Sequence, residues 1–420
     1  MKSLQPKLRF QEFRDDWKHK YFKEIYSFRS TNSLSRDKLN YENGLVKNIH
    51  YGDIHSKFNS LFKIENELVP YINDDISLEK IPNENFLKVK DLVIADASED
   101  YDDIGKCLEI IDLNEEDVLA GLHTFIARPD LHDIALGFGN YLMKSDYSKI
   151  QIKTIAQGTK VLSISTTRLS EIKVNIPSIE EQTKIANFLS AVDEKLNLLK
   201  EKKVLLEDYK KGIMQKIFNQ EIRFKDNNGN DFEDWEKVVL GNISDVRDGT
   251  HDSPKYVDNG YPLITSKNLN SNGKLDFKNV EFITQIDFDK INKRSKVDIG
   301  DIIFGMIGTI GNPVLLKSDE FAIKNVALIK EKKDLKNSFL IHYLNSSLIL
   351  NQFKKENVGG TQKFLSLGII RNLEILLPSI GEQTKIANFL SGIDEKIELV
   401  SNQIQDTQEY KKGLLQQMFV

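Results

Sequence analysis

The residues best suited to chemistry stand in the run ADASEDYDD, where Asp96, Glu99, Asp100, Asp102 and Asp103 crowd together. Carboxylates this dense are what a divalent cation or a nuclease centre requires. No lysine follows them at nuclease spacing and no histidine pairs with them in sequence, so the run reads as a solvated loop. His50, His55 and His123 lack metal-ligand spacing, and the single cysteine, Cys107, has no histidine base at a diagnostic position. There is no GxxxxGK(S/T) loop, no GxGxxG after a strand and no Asn-Pro-Pro-aromatic tetrapeptide. The reading is therefore of a chain with no catalytic residues and no metal site, which neither hydrolyses ATP nor transfers a methyl group unaided.

The elements that position such residues are written twice. Ile176 to Phe218 aligns without a gap on Leu377 to Phe419, IPSIEEQTKIANFLSAVDEKLNLL matching LPSIGEQTKIANFLSGIDEKIELV, and both copies close on Tyr-Lys-Lys-Gly, at Tyr209 and at Tyr410. Roughly half of about forty positions are identical, which duplicates one supersecondary unit. Weaker signals return in the same order. Leu8-Arg9-Phe10 with Trp17 and Ile25 returns as Ile222-Arg223-Phe224 with Trp235 and Ile243, and Asp91-Leu92-Val93-Ile94 returns as Asp301-Ile302-Ile303-Phe304. Tyr141-Leu142 and Gly158-Thr159 return as Tyr343-Leu344 and Gly360-Thr361. Between these anchors the halves differ, so one frame carries two fillings.

Each duplicated segment predicts a long helix. Pro177, Ser178 and Glu181, like Pro378, Ser379 and Glu382, have the spacing of a capping box. Ile185, Leu189, Val192, Leu196 and Leu199 step by four and three, as do Ile386, Leu390, Ile393, Ile397 and Val400. A helix of about forty residues is roughly 60 Å long, and two with matching seams are expected to pack on each other antiparallel. Lys203, Thr407 and the matched Lys210 and Lys411 interrupt the seam, to fix its register or to face a partner.

Short β-rich runs among turn signals, with helical stretches such as Ser338 to Leu350, make the remaining regions mixed α/β. The expected fold is two α/β (α+β) domains, 1–175 and 221–376, alternating with two long antiparallel helices, 176–220 and 377–420, in a pseudo-twofold repeat. The 420 residues, 40% hydrophobic and 29% charged, suit two domains. A single cysteine agrees with a reducing compartment, and no run approaches the length of a membrane span, so a cytoplasmic protein is expected. The net charge of -5 argues against a chain that is basic all over and leaves room for local basic faces.

Two variable domains alternating with similar long helices, each helix opened by (I/L)PSxxEQxKIxxF and closed by KKGxxQxxF, resemble the specificity subunit of type I restriction-modification systems. The LRFxxF…W approach to the first variable domain, echoed as IRF…W before the second, is similar to the same family. The resemblance covers the whole chain. It implies two target recognition domains, each reading half of a split, asymmetric sequence in double-stranded DNA. It further implies spacer helices that dock two methyltransferase subunits and, through the complex, restriction subunits that defend against phage. The chain would be non-catalytic, with S-adenosylmethionine, ATP and magnesium on its partners. A helix of about 60 Å compares with the length of roughly 17 base pairs.

Under that resemblance, the matched loops Gln157-Gly158-Thr159-Lys160 and Gly359-Gly360-Thr361-Gln362-Lys363 either bring amides, a hydroxyl and a lysine to phosphate or form ordinary glycine turns. Base readers belong where the halves differ. Asn48, His50, His55 and Lys57 occupy places that correspond to Thr265, Ser266, Lys267, Asn268 and Asn270, with Lys suited to guanine and Asn to adenine. The bland alternative for each is a solvated loop residue. Lys106, Arg128, Lys255 and Lys363 are candidate phosphate contacts. The competing function is a coiled-coil scaffold that binds proteins without DNA specificity; a self-contained restriction enzyme is disfavoured by the missing motifs.

Overall fold

A computed structural model describes residues 4–130, 132–308, 310–355 and 364–420. The chain forms two compact units, Met1–Lys200 with Asn402–Val420, and Glu201–Ser401. The boundaries fall inside two long helices, α1 (Ile179–Phe218) and α2 (Ile380–Gln417).

In the first unit a five-stranded sheet runs in the order Tyr26–Arg29, Thr124–Pro129, Leu92–Ala95, Cys107–Asp112, Leu61–Lys63. Leu92, Val93, Ile94 and Ala95 are all fully buried because the sheet is covered on both faces, as an uninterrupted apolar run of strand length requires. Helix Phe138–Lys144 packs on one face through Phe138 and Tyr141, and a second cluster around Ile49, Phe62 and Val93 covers the other. Burying each such side chain contributes roughly 1.5 to 3 kcal/mol. A four-stranded sheet follows, in the order Val118–Ala120, Lys47–Ile49, Tyr71–Ile72, Leu39–Asn40.

The second unit repeats the central order with Asp245–Asp248, Val326–Lys330, Ile302–Gly305 and Gly311–Leu315. The anchors matched in sequence, Asp91 to Ile94 and Asp301 to Phe304, therefore lead into equivalent strands. A second sheet orders Tyr256–Val257, Glu281–Ile283, Tyr261–Ile264 and Ala322–Ile323.

A repeated clasp fixes each helix start to its unit. Ser178 and Ser379 accept from the Glu181 and Glu382 amides at 3.4 Å, as caps should. The glutamate side chains do not complete the expected box. Glu181 accepts from Arg9 Nε and Nη2, each at 2.8 Å, and from Trp17 Nε1 at 3.3 Å. Glu382 accepts from Arg223 at 3.2 and 2.8 Å and from Trp235 Nε1 at 2.9 Å. A buried carboxylate is better satisfied by a two-pronged guanidinium than by one backbone amide. The neighbouring glutamines finish the clasp: Gln182 bonds Asp133 O, Pro177 O and Ala135 N, and Gln383 bonds Asp334 O, Pro378 O and Lys336 N.

Within the first unit, Ile185, Leu189 and Val192 of α1 share a core with Leu414, Met418 and Phe419 at the end of the chain. Within the second, Ile386, Leu390 and Ile393 of α2 share one with Ile217 and Phe218. Leu196 and Val400 are buried, and Leu199 and Ile397 are half-buried. The matched lysines are answered by matched aspartates: Lys210 reaches Asp394 at 2.6 Å, and Lys411 bonds Asp193. Thr407 turns its hydroxyl onto Gln403 O at 2.7 Å, which lets a polar residue sit buried in the seam.

Candidate nucleic-acid interface

Three histidines that lack any regular spacing come together in the first unit. His50, His55 and His123 surround the ring of Tyr51, with centroids at 4.7, 6.4 and 5.3 Å. The fold does this by placing helix Tyr51–Ser56 directly after strand Lys47–Ile49. That strand pairs in parallel with Val118–Ala120, which leads on to His123.

Most members of the cluster are held by specific partners. His50 caps the helix, accepting from Gly52 N at 3.1 Å; burial and the nearby Arg36 lower its pKa. His55 lies 3.1 Å from Ala97 O, and Lys106 donates to His55 O at 2.9 Å. The Asp53 carboxyl is buried, which raises its pKa, but Arg36 at 2.7 and 2.9 Å and Lys57 at 3.1 Å outweigh that and hold it below the usual value. Asn48 is fully buried, accepts from Asn32 at 2.6 Å, and leaves its own Nδ2 without an acceptor among the described residues. Arg36 with Asp53, and Tyr51 with His123, carried no sequence signal, because these pairs lie too far apart along the chain for any spacing rule.

The acidic run disperses. Asp96 faces His123 at 3.2 Å, Asp103 faces Lys106 at 3.4 Å, and Asp102 bonds Lys153. Burial raises the Asp96 pKa against the opposing influence of His123. Among the described residues no group of three metal-ligating side chains forms. Cys107 is buried, which pushes its thiol up to about 12 and leaves it unreactive.

Arg128 stands apart from the cluster. Its guanidinium grips the buried Asp91 at 2.8 and 2.7 Å and donates to Glu84 O and Phe86 O, so it ties a loop to the sheet. Gly158 sits at φ +122° in a tight turn closed by Gln157 and Ser163 at 2.9 and 2.7 Å; a Cβ there would fall 2.0 Å from Val161 O. The turn leaves Thr159 and Lys160 exposed. The matching candidates Gly360, Thr361, Gln362 and Lys363 lie outside the described residues.

In the second unit Thr265 opens a turn whose geometry Asn268 fixes: its Oδ1 accepts from Thr265 N and Oγ1 at 3.0 Å, and its Nδ2 donates to Asp276 O and Asn279 O. Ser266 donates to Asn325 O at 3.2 Å. Asn268 and Ser266 are buried, while Lys255, Lys267 and Asn270 are exposed. Around them His251 stands 2.8 Å from both Asp248 and Asn325. Those two hydrogen bonds, Asn325 first, raise the His251 pKa.

Each unit therefore offers a short polar turn after a buried strand, braced from behind by buried ion pairs or amides, with lysines on the outside. No helix among the described residues is long and apolar enough to cross a membrane.

The family model described as "Type I restriction modification DNA specificity domain" matches residues 14–208 and again 232–408. A putative type I restriction enzyme MjaX specificity subunit of Methanocaldococcus jannaschii is 27% identical over 96% of this chain and 93% of its own. The MjaVIII specificity subunit of the same organism is 26% identical over 66% of this chain and 67% of its own. In fold, the crystal structure of the type I restriction-modification S subunit from M. genitalium is similar at a TM-score of 0.63 and 15% identity, covering 99% of both chains. The family match falls once on each half of a chain whose units share a central strand order and an Arg-Glu-Trp clasp: this protein belongs to the type I restriction-modification specificity subunits.

Proposed function

We propose that each unit is a target recognition domain reading one half of a bipartite, asymmetric sequence in double-stranded DNA, and that α1 and α2 are antiparallel spacers docking two methyltransferase subunits. The observation that carries this reading is the repeated clasp. Arg9, Trp17, Glu181 and Gln182 have counterparts in Arg223, Trp235, Glu382 and Gln383, bonded alike. A shared mount beneath different exposed turns is what a modular reader with two independent halves requires.

The domains divide functionally at 1–175, 176–220, 221–376 and 377–420, and the two mounts are related by a pseudo-twofold. Lys210 with Asp394 and Lys411 with Asp193 support opposite helix directions, since each lysine near a helix end meets an aspartate in the early turns of the other helix. Recognition is this chain's part. Methyl transfer, with S-adenosylmethionine, and cleavage driven by ATP and magnesium belong to the partner subunits.

The test is a methylome. Cells carrying this gene with its methyltransferase partner, compared with a strain lacking this gene alone, should show one split motif that disappears with the deletion. An unchanged methylome would sink the reading and favour a protein scaffold.

A further inference from the structure

Two residues occupy one unusual backbone position in both units. His123 immediately precedes strand Thr124–Pro129 at φ +58°, and Asn325 immediately precedes Val326–Lys330 at φ +55°. Each follows a short strand paired in parallel with the strand that opens the polar turn, Lys47–Ile49 in one unit and Tyr261–Ile264 in the other. Left-handed backbone is uncommon outside glycine and is tolerated best by Asn, Asp and His. The position is pinned rather than loose. Asp96 N donates to His123 O at 3.1 Å, and Ser266 Oγ donates to Asn325 O at 3.2 Å.

The side chains at this shared position offer opposite chemistry. His123 Nδ1 faces the Asp96 carboxylate at 3.2 Å, so Nδ1 carries the hydrogen and Nε2 of the neutral ring is an acceptor. His251 stands 2.8 Å from Asp248 Oδ2 through Nε2 and 2.8 Å from Asn325 Oδ1 through Nδ1, and in its imidazolium form, which both contacts favour, each nitrogen donates. That form engages the Asn325 oxygen and leaves its Nδ2 a donor that no acceptor meets among the described residues. In the first unit His123 also borders an open polar cavity of about 450 Å³, lined with Arg29, Asn32, Asp96 and Thr124. Arg29 Nε is buried without an acceptor among the described residues.

We infer that His123 and Asn325 are specificity-determining residues of the two recognition domains, each meeting one base edge of its own half-site, and that they select different bases because one offers an acceptor and the other a donor. This rests on the DNA-reading function proposed above. An acceptor matches the exocyclic amino group of adenine or cytosine; a donor matches N7 of a purine, O6 of guanine or O4 of thymine. Arg29 supplies a donor beside His123 for an acceptor on the same base or the adjoining phosphate. Asp96 and His251 are positioning residues, which set the tautomer of one reader and the amide orientation of the other.

The experiment is methylation, by the complex with its methyltransferase subunits, of a DNA library randomised in both half-sites, read by sequencing. Asn replaces His123, which keeps a residue tolerant of left-handed backbone; His replaces Asn325; and Asp96→Asn tests the brace. His123→Asn is expected to change base preference by about tenfold or more at one position of one half-site. The other half-site and the gap should remain unchanged and serve as an internal control for folding. Asn325→His should do the same in the opposite half, and Asp96→Asn should weaken the preference that His123→Asn changes. An unchanged motif overturns the inference while the wild-type motif preserves the DNA-reading function. Methylation lost for every sequence, with melting unchanged, also overturns it, since a lost base reader still leaves some sequences accepted. A wild-type complex without any split motif overturns the function itself.

Discussion

Arg9 holds both carboxylate oxygens of Glu181 at 2.8 Å across 172 residues of sequence, and the glutamate is 1% exposed. Trp17 adds a third donor to the same carboxylate, and its indole packs edge-on against Phe419 at 6.0 Å. The Glu181 carboxylate thus ties Arg9 and Trp17 to the start of α1, and the Trp17 ring carries the connection on to Phe419.

Removing Arg9 leaves a charge buried without its partner, which costs on the order of 3 kcal/mol or more. Arg9→Ala should therefore lower the midpoint of denaturant unfolding of the first unit, and Arg223→Ala that of the second. Replacing both partners, Arg9→Met with Glu181→Leu, should cost less than Arg9→Ala alone, because no charge is then stranded. Denaturation followed by hydrogen exchange resolves the two units; equal losses for single and double variants would contradict this account.

His342 gives the second unit a pH dependence. It is buried beside Ser391 at 3.2 Å, and burial, aided by Lys210, lowers its pKa to about 3. The unfolded chain takes up this proton near pH 6.5 and the folded chain does not. Stability is therefore lost as pH falls below that value, by about 1.4 kcal/mol per unit for one proton. His342→Gln should flatten the difference between unfolding curves taken at pH 7 and pH 5; an unaltered difference would show that other groups cause it.

Gly158 and Lys160 separate geometry from charge in one turn. Gly158→Ala places a methyl group against Val161 O in a backbone conformation that side chains rarely adopt, and should open the turn. Lys160→Ala leaves the turn intact and, for a phosphate contact, should weaken DNA binding by the complex about equally for all sequences while reducing the salt slope by about 1. A sequence-dependent loss for Lys160→Ala would instead make it a base reader.

Deleting one heptad from α1 and one from α2 should shorten the gap between half-sites in the methylated motif, each heptad being roughly 10 Å of helix. The two half-sites should keep their bases. A motif with an unaltered gap would mean that the helices do not set the spacing.

The sequence by itself determined the duplicated frame. The doubled PSxxEQ and Tyr-Lys-Lys-Gly blocks predict the long helices, which run Ile179–Phe218 and Ile380–Gln417, because capping and heptad spacing are local properties that repeat visibly. The runs Leu92 to Ile94 and Ile302 to Phe304 announce central strands for the same reason. Only the tertiary structure decided what the repeated residues do. Glu181 and Glu382 have the spacing of a capping box, yet three-dimensional packing brings them Arg9 and Arg223, whose paired donors outcompete a backbone amide. His50, His55 and His123 are scattered in sequence and gather at Tyr51 because a parallel strand pairing joins distant segments. His123 and Asn325 share one left-handed position that no local pattern marks, since they differ in residue type and their common backbone is imposed by the sheet on either side.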